Sequence, residues 1–277
     1  VSTKEYNLAG QVTKQTDFQG LVTTYQYVNG VNTGSQRHGL KQITTQPGGL
    51  TTILDTACDG NVSSITGTAQ VSSYYTYGIG QNGTQWQKLN MGGSDSARWQ
   101  KNTTDLLGRN ILQERSGYNG TVTQQNFYNN QGLVVRREQT GIAPTLYKYD
   151  SLGNVIRQGL DVDNSNTLEL AGNDRITDYD ISLNNTWKTV TTKTYGTNGS
   201  ADATVISIQK ERLSGFTNSV IAEKQITDIH GNVTTTTRSI DRSAKTVTTT
   251  TEYPDSIISA QIITVNRLKN SERTKTG

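Results

Sequence analysis

A short turn pattern recurs along this chain of 277 residues and constrains its fold more than any other feature. The clearest copy begins with Tyr147 and Tyr149 on one face of a candidate strand, turns from Asp150 to Gly153, and restarts a strand at Val155. Tyrosine and valine favour strands, aspartate starts a turn by bonding the backbone two residues on, and glycine takes the positive φ that ends it. The pattern predicts a β-hairpin.

Further copies of this pattern keep its spacing. The turn glycines Gly108, Gly132 and Gly153 are roughly 21 to 24 residues apart, which is typical of a repeat architecture. Copies with the tyrosine are Tyr6–Val12 and Tyr128–Val134, and copies without it are Asp17–Val22, Thr56–Val62, Asp105–Ile111 and Asp228–Val233. The sequence therefore predicts an all-β chain of tandem hairpins.

The motif Tyr149-Asp150-x-x-Gly153-Asn154-Val155 resembles the YD repeat of RHS-repeat proteins, which include bacterial Rhs toxins, the cocoon subunits of Tc toxins and animal teneurins. The resemblance covers most of the chain. It implies a continuous curved or spiralling sheet that forms part of a hollow shell. In many members that shell encloses a toxic C-terminal domain.

The resemblance also implies partners and a location. The partners are other segments of the same polypeptide, an encapsulated C-terminal toxin domain among them, and the location is secreted or at the bacterial cell surface. The family's autoproteolytic core carries Asp-Pro signatures, whereas the three prolines here follow Gln46, Ala143 and Tyr253. We therefore expect neither the cleavage core nor a toxin in this piece.

Composition supports a sheet with two solvated faces. Hydrophobic residues make up 31% of the chain and charged residues 18%, which favours a single-layered β wall over a compact globule or a disordered chain. The net charge of +3 is too small to indicate nucleic-acid binding. We find no apolar run of transmembrane length and no signal peptide. The chain begins at Val1, so we expect an excised segment, with one repeat strip over residues 1–277.

The repeat rhythm breaks at an inserted Asp/Asn-rich loop, residues 159–180. The loop resembles the start of an EF-hand-type or dockerin-like calcium loop. Its oxygen ligands for Ca²⁺ at positions 1, 3, 5, 7 and 9 would be Asp161, Asp163, Ser165, the Thr167 carbonyl and Glu169.

Two departures from that pattern leave a plain surface loop as the alternative. Asn166 replaces the usual turn glycine, although asparagine tolerates that conformation. Gly172 occupies position 12, so Asp174 would have to supply the missing acid. We therefore expect weak Ca²⁺ binding with a structural effect only.

Candidate catalytic groups are few. Asp178 and Asp180 put two carboxylates on one face of a strand, a separation that suits a glycosidase, although a solvated acidic edge is the commoner meaning. Cys58 is the sole cysteine, and His38 and His230 are expected in loops. The run Gly78–Gly83 matches G-x-G-x-x-G, but an alternating strand pattern follows it, so it predicts a hairpin loop.

Three functions remain open. The first is a non-catalytic structural segment of a shell, and therefore not an enzyme. The second is an adhesin or carbohydrate-binding module with glycans as partners, using Trp86, Trp99 and Trp187 as sugar platforms. The third is a glycosidase. One short helical turn is expected within residues 94–102.

Overall fold

The computed structural model describes residues 1–29, 38–197, 199–217, 219–266 and 269–276, with side chains for these except residue 38 and those beyond 264. Two compact units divide the chain, Val1–Asn126 and Phe127–Gly277. The described residues form 22 strands and one short 3₁₀ turn, so the all-β prediction is confirmed. Within the described part, no helix is long and apolar enough to cross a membrane.

The first unit is an antiparallel meander in which each strand pairs with the next along the chain. The strands are β1 (Thr3–Tyr6), β2 (Val12–Thr16), β3 (Val22–Asn29), β4 (His38–Thr45), β5 (Thr51–Ala57), β6 (Val62–Thr66), β7 (Ser73–Ile79), β8 (Gln85–Met91), β9 (Trp99–Thr104), β10 (Asn110–Gly117) and β11 (Gly120–Tyr128).

The second unit repeats this arrangement, again with every strand antiparallel to its chain neighbour. Its strands are β12 (Val134–Gln139), β13 (Ile142–Tyr149), β14 (Val155–Leu160), β15 (Arg175–Leu183), β16 (Trp187–Tyr195), β17 (Ala203–Arg212), β18 (Val220–Thr227), β19 (Val233–Asp241), β20 (Thr246–Glu252), β21 (Ile258–Asn266) and β22 (Lys269–Thr276).

The predicted turn is built by one side chain and one glycine. Asp150 Oδ1 accepts the backbone N–H groups of Leu152 and Asn154 at 2.9 and 2.8 Å. The N–H of Gly153, at φ +85°, donates to the Asp150 carbonyl at 3.2 Å, and the register slips beside Tyr149. This combines a type I turn with a glycine bulge, a common hairpin connection. The same bonds form at Asn7, Asp17, Asp105, Asn129 and Asp228.

A second recurring contact joins successive hairpins. A tyrosine hydroxyl donates to the carbonyl of the second residue after the preceding turn glycine, 15 residues earlier in the chain. We call this contact the tyrosine bridge. The pairs are Tyr27 to Val12 at 3.0 Å, Tyr77 to Val62 at 2.9 Å and Tyr149 to Val134 at 2.6 Å.

Burial is concentrated at one place. Apart from Asn90, every residue that is buried in the described part lies between positions 159 and 178. Ile176, 2% exposed, is the buried hydrophobic residue of this part. The strands elsewhere keep both faces at least partly accessible, so they depend on cross-strand pairs rather than on a shared core.

Two local predictions are wrong and one is confirmed. Residues 94–102 contain no helical turn. A β-turn forms there, in which the Ser96 N–H donates to the Gly93 carbonyl at 3.2 Å. The Met91 N–H donates to the Arg98 carbonyl at 2.9 Å across this loop, and β9 starts at Trp99. His38 begins β4 instead of lying in a loop. The glycine-rich run is a hairpin connection as predicted, since β7 pairs with β8 around it.

Candidate metal centre

Within the inserted segment 159–180, the loop itself comprises residues 161–174, because β14 extends to Leu160 and β15 starts at Arg175. This loop packs back onto the sheet. The Asp161 N–H donates to the Pro144 carbonyl at 2.9 Å, which continues the pairing with β13 for one residue. A Cβ on Gly159 would lie 3.1 Å from Leu168 Cδ2 and 2.8 Å from a backbone oxygen. Glycine therefore leaves room for Leu168, and Gly159 pairs across the sheet with the buried Ile176.

Three carboxylates converge inside this loop. Asp161, Asp163 and Asp174 each place an oxygen within 4.8 Å of the others. Asp161 is fully buried and Asp174 is 3% exposed, whereas Asp163 is exposed. The structure thus brings two predicted ligands together with Asp174, which lies beyond the twelfth position of the calcium-loop pattern.

Backbone N–H groups hold the two buried carboxylates in place. Asp161 accepts from the N–H of Ser165 at 2.8 Å and of Asn166 at 2.9 Å. Asp174 accepts from the N–H of Val162 at 2.8 Å and of Glu169 at 3.0 Å. Such charge-assisted bonds fix the orientation of each carboxylate and leave its remaining lone pairs free for a cation.

The other predicted ligands surround Ser165. Its hydroxyl donates to the Glu169 carboxylate, with oxygens at 3.0 and 3.2 Å, and lies 3.3 Å from the Thr167 carbonyl. Asn166 adopts a φ of +68°, the left-handed conformation that the pattern usually assigns to glycine. All five predicted ligands therefore lie in one hydrogen-bonded loop with Asp174.

This donor set suits a hard divalent cation. Ca²⁺ takes six to eight oxygen ligands, including carboxylates, carbonyls and hydroxyls, and tolerates irregular geometry. Several carboxylates held this close repel one another unless a cation or protons neutralise them. The residues present fit Ca²⁺ chemically, and the metal itself remains a proposal.

Beside the loop, the buried Asp178 forms an ion pair with the half-buried Arg157. Its carboxylate receives Arg157 Nε and Nη2 at 2.6 and 2.7 Å and the Tyr195 hydroxyl at 2.7 Å. Burial acts to raise the pKa of Asp178, but the bonds from Arg157 and Tyr195 outweigh it and hold that pKa below its ordinary value. The ionised carboxylate of Asp178 on β15 therefore links this strand to β14 through Arg157 and to β16 through Tyr195.

Its neighbour Asp180 forms an ion pair with Lys193. A glycosidase acid needs a raised pKa so that it can donate a proton. The pKa of Asp178 is shifted in the opposite direction. Both carboxylates form ion pairs with basic side chains, Asp178 with Arg157 and Asp180 with Lys193. The glycosidase alternative stays a prediction to which this pair gives no support.

Each of the three tryptophan rings has a cationic side chain over it. Lys101 lies over Trp86 at 5.2 Å from the ring centroid, Lys88 lies over Trp99 at 5.0 Å, and Arg212 lies over Trp187 at 5.7 Å. Trp86 also packs against Gly78 so closely that a Cβ there would lie 2.3 Å from its ring. Trp187 lines an open depression of about 430 Å³ beside the turn 184–186. All three rings are half-buried, and glycan binding stays a prediction.

The tyrosine bridge is a feature that the sequence analysis missed. Its signal is a tyrosine 15 residues after the branched residue that follows the turn, present at Tyr27, Tyr77 and Tyr149. The Arg157–Asp178 pair carries no comparable signal, because it depends on the register that the loop imposes between β14 and β15.

Comparison with known proteins gave no match to a family model and no match among curated proteins. Among solved structures, the chain is similar to TcdB2-TccC3 without its hypervariable C-terminal region, at 15% identity and a TM-score of 0.47. It is also similar to TcdB2-TccC3-TEV, at 10% and 0.40, and to the Tc holotoxin pore of Photorhabdus luminescens, at 9% and 0.27. The matches cover 99%, 97% and 99% of this chain but 16%, 19% and 17% of those chains. The chain thus spans less than a fifth of the length of these solved chains.

Proposed function

We propose that this chain is a non-catalytic wall segment of an RHS-repeat shell, which encloses or displays another part of a large secreted or surface polypeptide such as a bacterial toxin. The observation that carries the proposal is the repetition of one hairpin design, with the same Asx-type turn at six places in the described residues and the tyrosine bridge at three. Within each unit, the strands pair with their chain neighbours, so stability comes from interfaces between repeats, as in other repeat proteins.

Apolar side chains at the turn tips support contacts with further segments of the polypeptide. Leu8, Phe18, Leu106 and Leu152 follow the turn aspartate or asparagine by one or two positions and are each at least 74% exposed. Turn tips of an isolated domain are usually polar. Large exposed apolar residues that recur at matching positions indicate a surface that meets other protein.

Cysteine labelling on two faces of one strand tests the enclosure. Lys210 and Glu211 are consecutive exposed residues of β17, and their side chains therefore point to opposite faces. Single Lys210→Cys and Glu211→Cys variants, in a Cys58→Ser background, would be labelled with a bulky maleimide. Labelling is compared between this chain and the natural full-length polypeptide.

A wall that encloses another segment should lose reactivity at one face only. We expect labelling at one of the two positions to slow by about tenfold or more in the full-length polypeptide, because local burial controls thiol access. Equal labelling of both faces in both contexts would refute enclosure.

We further propose that the inserted loop binds Ca²⁺ weakly, as a structural ion. The convergence of Asp161, Asp163 and Asp174 favours this proposal. The absence of an acid at position 12 predicts a Kd in the range of extracellular modules, about 10⁻⁴–10⁻³ M. Calorimetry with Ca²⁺ should show binding heat that disappears in Asp161→Ala/Asp163→Ala.

Asp202→Ala is the matched control for that experiment, since Asp202 is exposed and lies outside the loop. It should bind Ca²⁺ like the parent chain. A parent chain that gives no heat, or a control that loses the heat as the double variant does, would contradict the metal site. Neither result bears on the wall proposal.

A further inference from the structure

We propose that the groove between the inserted loop and strands β12 to β14 binds a small organic anion that carries an apolar body. The groove has a volume of about 520 Å³, which lies within the range of small-molecule sites. Its lining in the described residues includes three cations and no acidic side chain. The residues that carry the proposal are Arg136, Leu146, Lys148, Arg157, Asn166 and Leu168.

Two cations lie side by side at the floor of the groove. Lys148 and Arg157 are direct cross-strand partners on β13 and β14, so their side chains leave the same face of the sheet. Arg157 uses Nε and Nη2 for Asp178, and a guanidinium has five N–H donors, which leaves donors at Nη1. Lys148 is exposed and has no ion pair among the described side chains. An anion in the groove would therefore meet one unpaired ammonium and one oriented guanidinium.

A third cation closes one end of the groove. Arg136 donates from Nη2 to the Asn164 side chain at 3.2 Å, which ties the loop to β12. Its Nε lies 2.7 Å from Glu138 Oε1, as an ion pair without hydrogen-bond geometry. These contacts restrain the Arg136 side chain, which therefore forms one side of the groove. The exposed Lys148 side chain is better placed to reorient and contact a ligand.

Apolar groups supply the rest of the pocket. Leu146 is the cross-strand partner of Gly159, and a Cβ on Gly159 would lie 3.1 Å from Leu168 Cδ2. Leu146 and Leu168 thus line the groove on either side of Gly159. Pockets with apolar walls and a few convergent polar groups orient small ligands through those polar groups. Here the polar groups are cationic, so the ligand class is a carboxylate or similar anion attached to an aromatic or aliphatic body.

Calorimetry with 2-naphthoate tests the proposal on this 277-residue chain, in calcium and in EDTA, with 2-naphthalenemethanol as the neutral analogue. We expect saturable naphthoate binding in at least one condition, with the alcohol about tenfold weaker or more, since charge-assisted bonds are lost. Lys148→Glu should weaken naphthoate binding by about fivefold or more through like-charge repulsion. Lys148→Gln, which only removes the charge, should weaken it less.

Lys210→Glu is the matched control, because Lys210 is also an exposed strand lysine of this unit but lies outside the groove. It should change naphthoate affinity by less than about twofold, as a screened distant charge. The proposal is overturned if naphthoate shows no saturable binding at millimolar concentration, if the alcohol binds equally well, or if Lys210→Glu weakens binding as much as Lys148→Glu.

Discussion

Removal of one hydroxyl group tests whether the tyrosine bridge holds neighbouring hairpins together. Tyr149→Phe keeps the ring and deletes the bond from the hydroxyl to Val134 O, which is 2.6 Å long and half-buried. Burial, with the nearby Tyr147, raises the pKa of Tyr149, so the hydroxyl remains a proton donor at neutral pH. A hydrogen bond of this kind contributes about 0.5–1.5 kcal/mol net.

The matched control is Tyr147→Phe. Tyr147 lies on the same strand and face, and its ring contacts Arg137, an interaction that phenylalanine retains. We expect Tyr149→Phe to lower the free energy of unfolding of the second unit by about 1 kcal/mol, which corresponds to about 2–4 °C in Tm for a unit of this size. Urea denaturation and differential scanning calorimetry measure both quantities. If the two variants are equally stable, the tyrosine bridge does not stabilise the strip.

Three further changes have defined outcomes. Gly153→Val should cost about 1–3 kcal/mol in thermal unfolding, because φ is +85° there; Leu152→Val at the exposed neighbouring position is the control, and equal melting temperatures would contradict the turn geometry. Gly159→Ala should cost about 1–3 kcal/mol in urea denaturation, because the new Cβ would lie 2.8 Å from the Arg175 carbonyl oxygen and 3.1 Å from Leu168 Cδ2; an unchanged midpoint would show that neither β15 nor the loop packs closely there. Asp178→Asn should cost about 1.5–3 kcal/mol at pH 7. The folded pKa of Asp178 lies below its ordinary value of 3.8, so its contribution is full above that pH and disappears as the pH falls through the lower folded value; the variant should lack this acid dependence, and a parent-like pH profile would contradict it.

The turns follow from the sequence because their contacts are local. Asp150 accepts from N–H groups two and four residues ahead, and within the turn 150–154 the positive φ is that of Gly153. Such contacts leave a composition signature within five residues. The prediction fails at residues 94–102 because the same small polar residues favour turns and helix starts alike. Pairing of β8 with β9 then decides between the two.

The candidate metal centre can be predicted only in part from the sequence. Asp161, Asp163 and Ser165 alternate in a short stretch, so their spacing alone indicates a shared ligand site. Asp174 joins them because the loop returns to the sheet beside Ile176. No fixed sequence interval encodes that return. The cationic groove depends even more on register, since Lys148 and Arg157 meet only when β13 pairs with β14.

The tyrosine bridge also limits how such a chain can change length during evolution. The separation of 15 positions from Val62 to Tyr77 sets which face of the strand carries the hydroxyl. A single-residue insertion within that interval would turn the hydroxyl to the other face, whereas duplication of a whole hairpin would leave the interval intact. Gene segments that encode complete hairpins are therefore the natural unit of growth or loss. A longer insertion is tolerated where it supplies its own packing, as residues 161–174 do with Leu168 over Gly159.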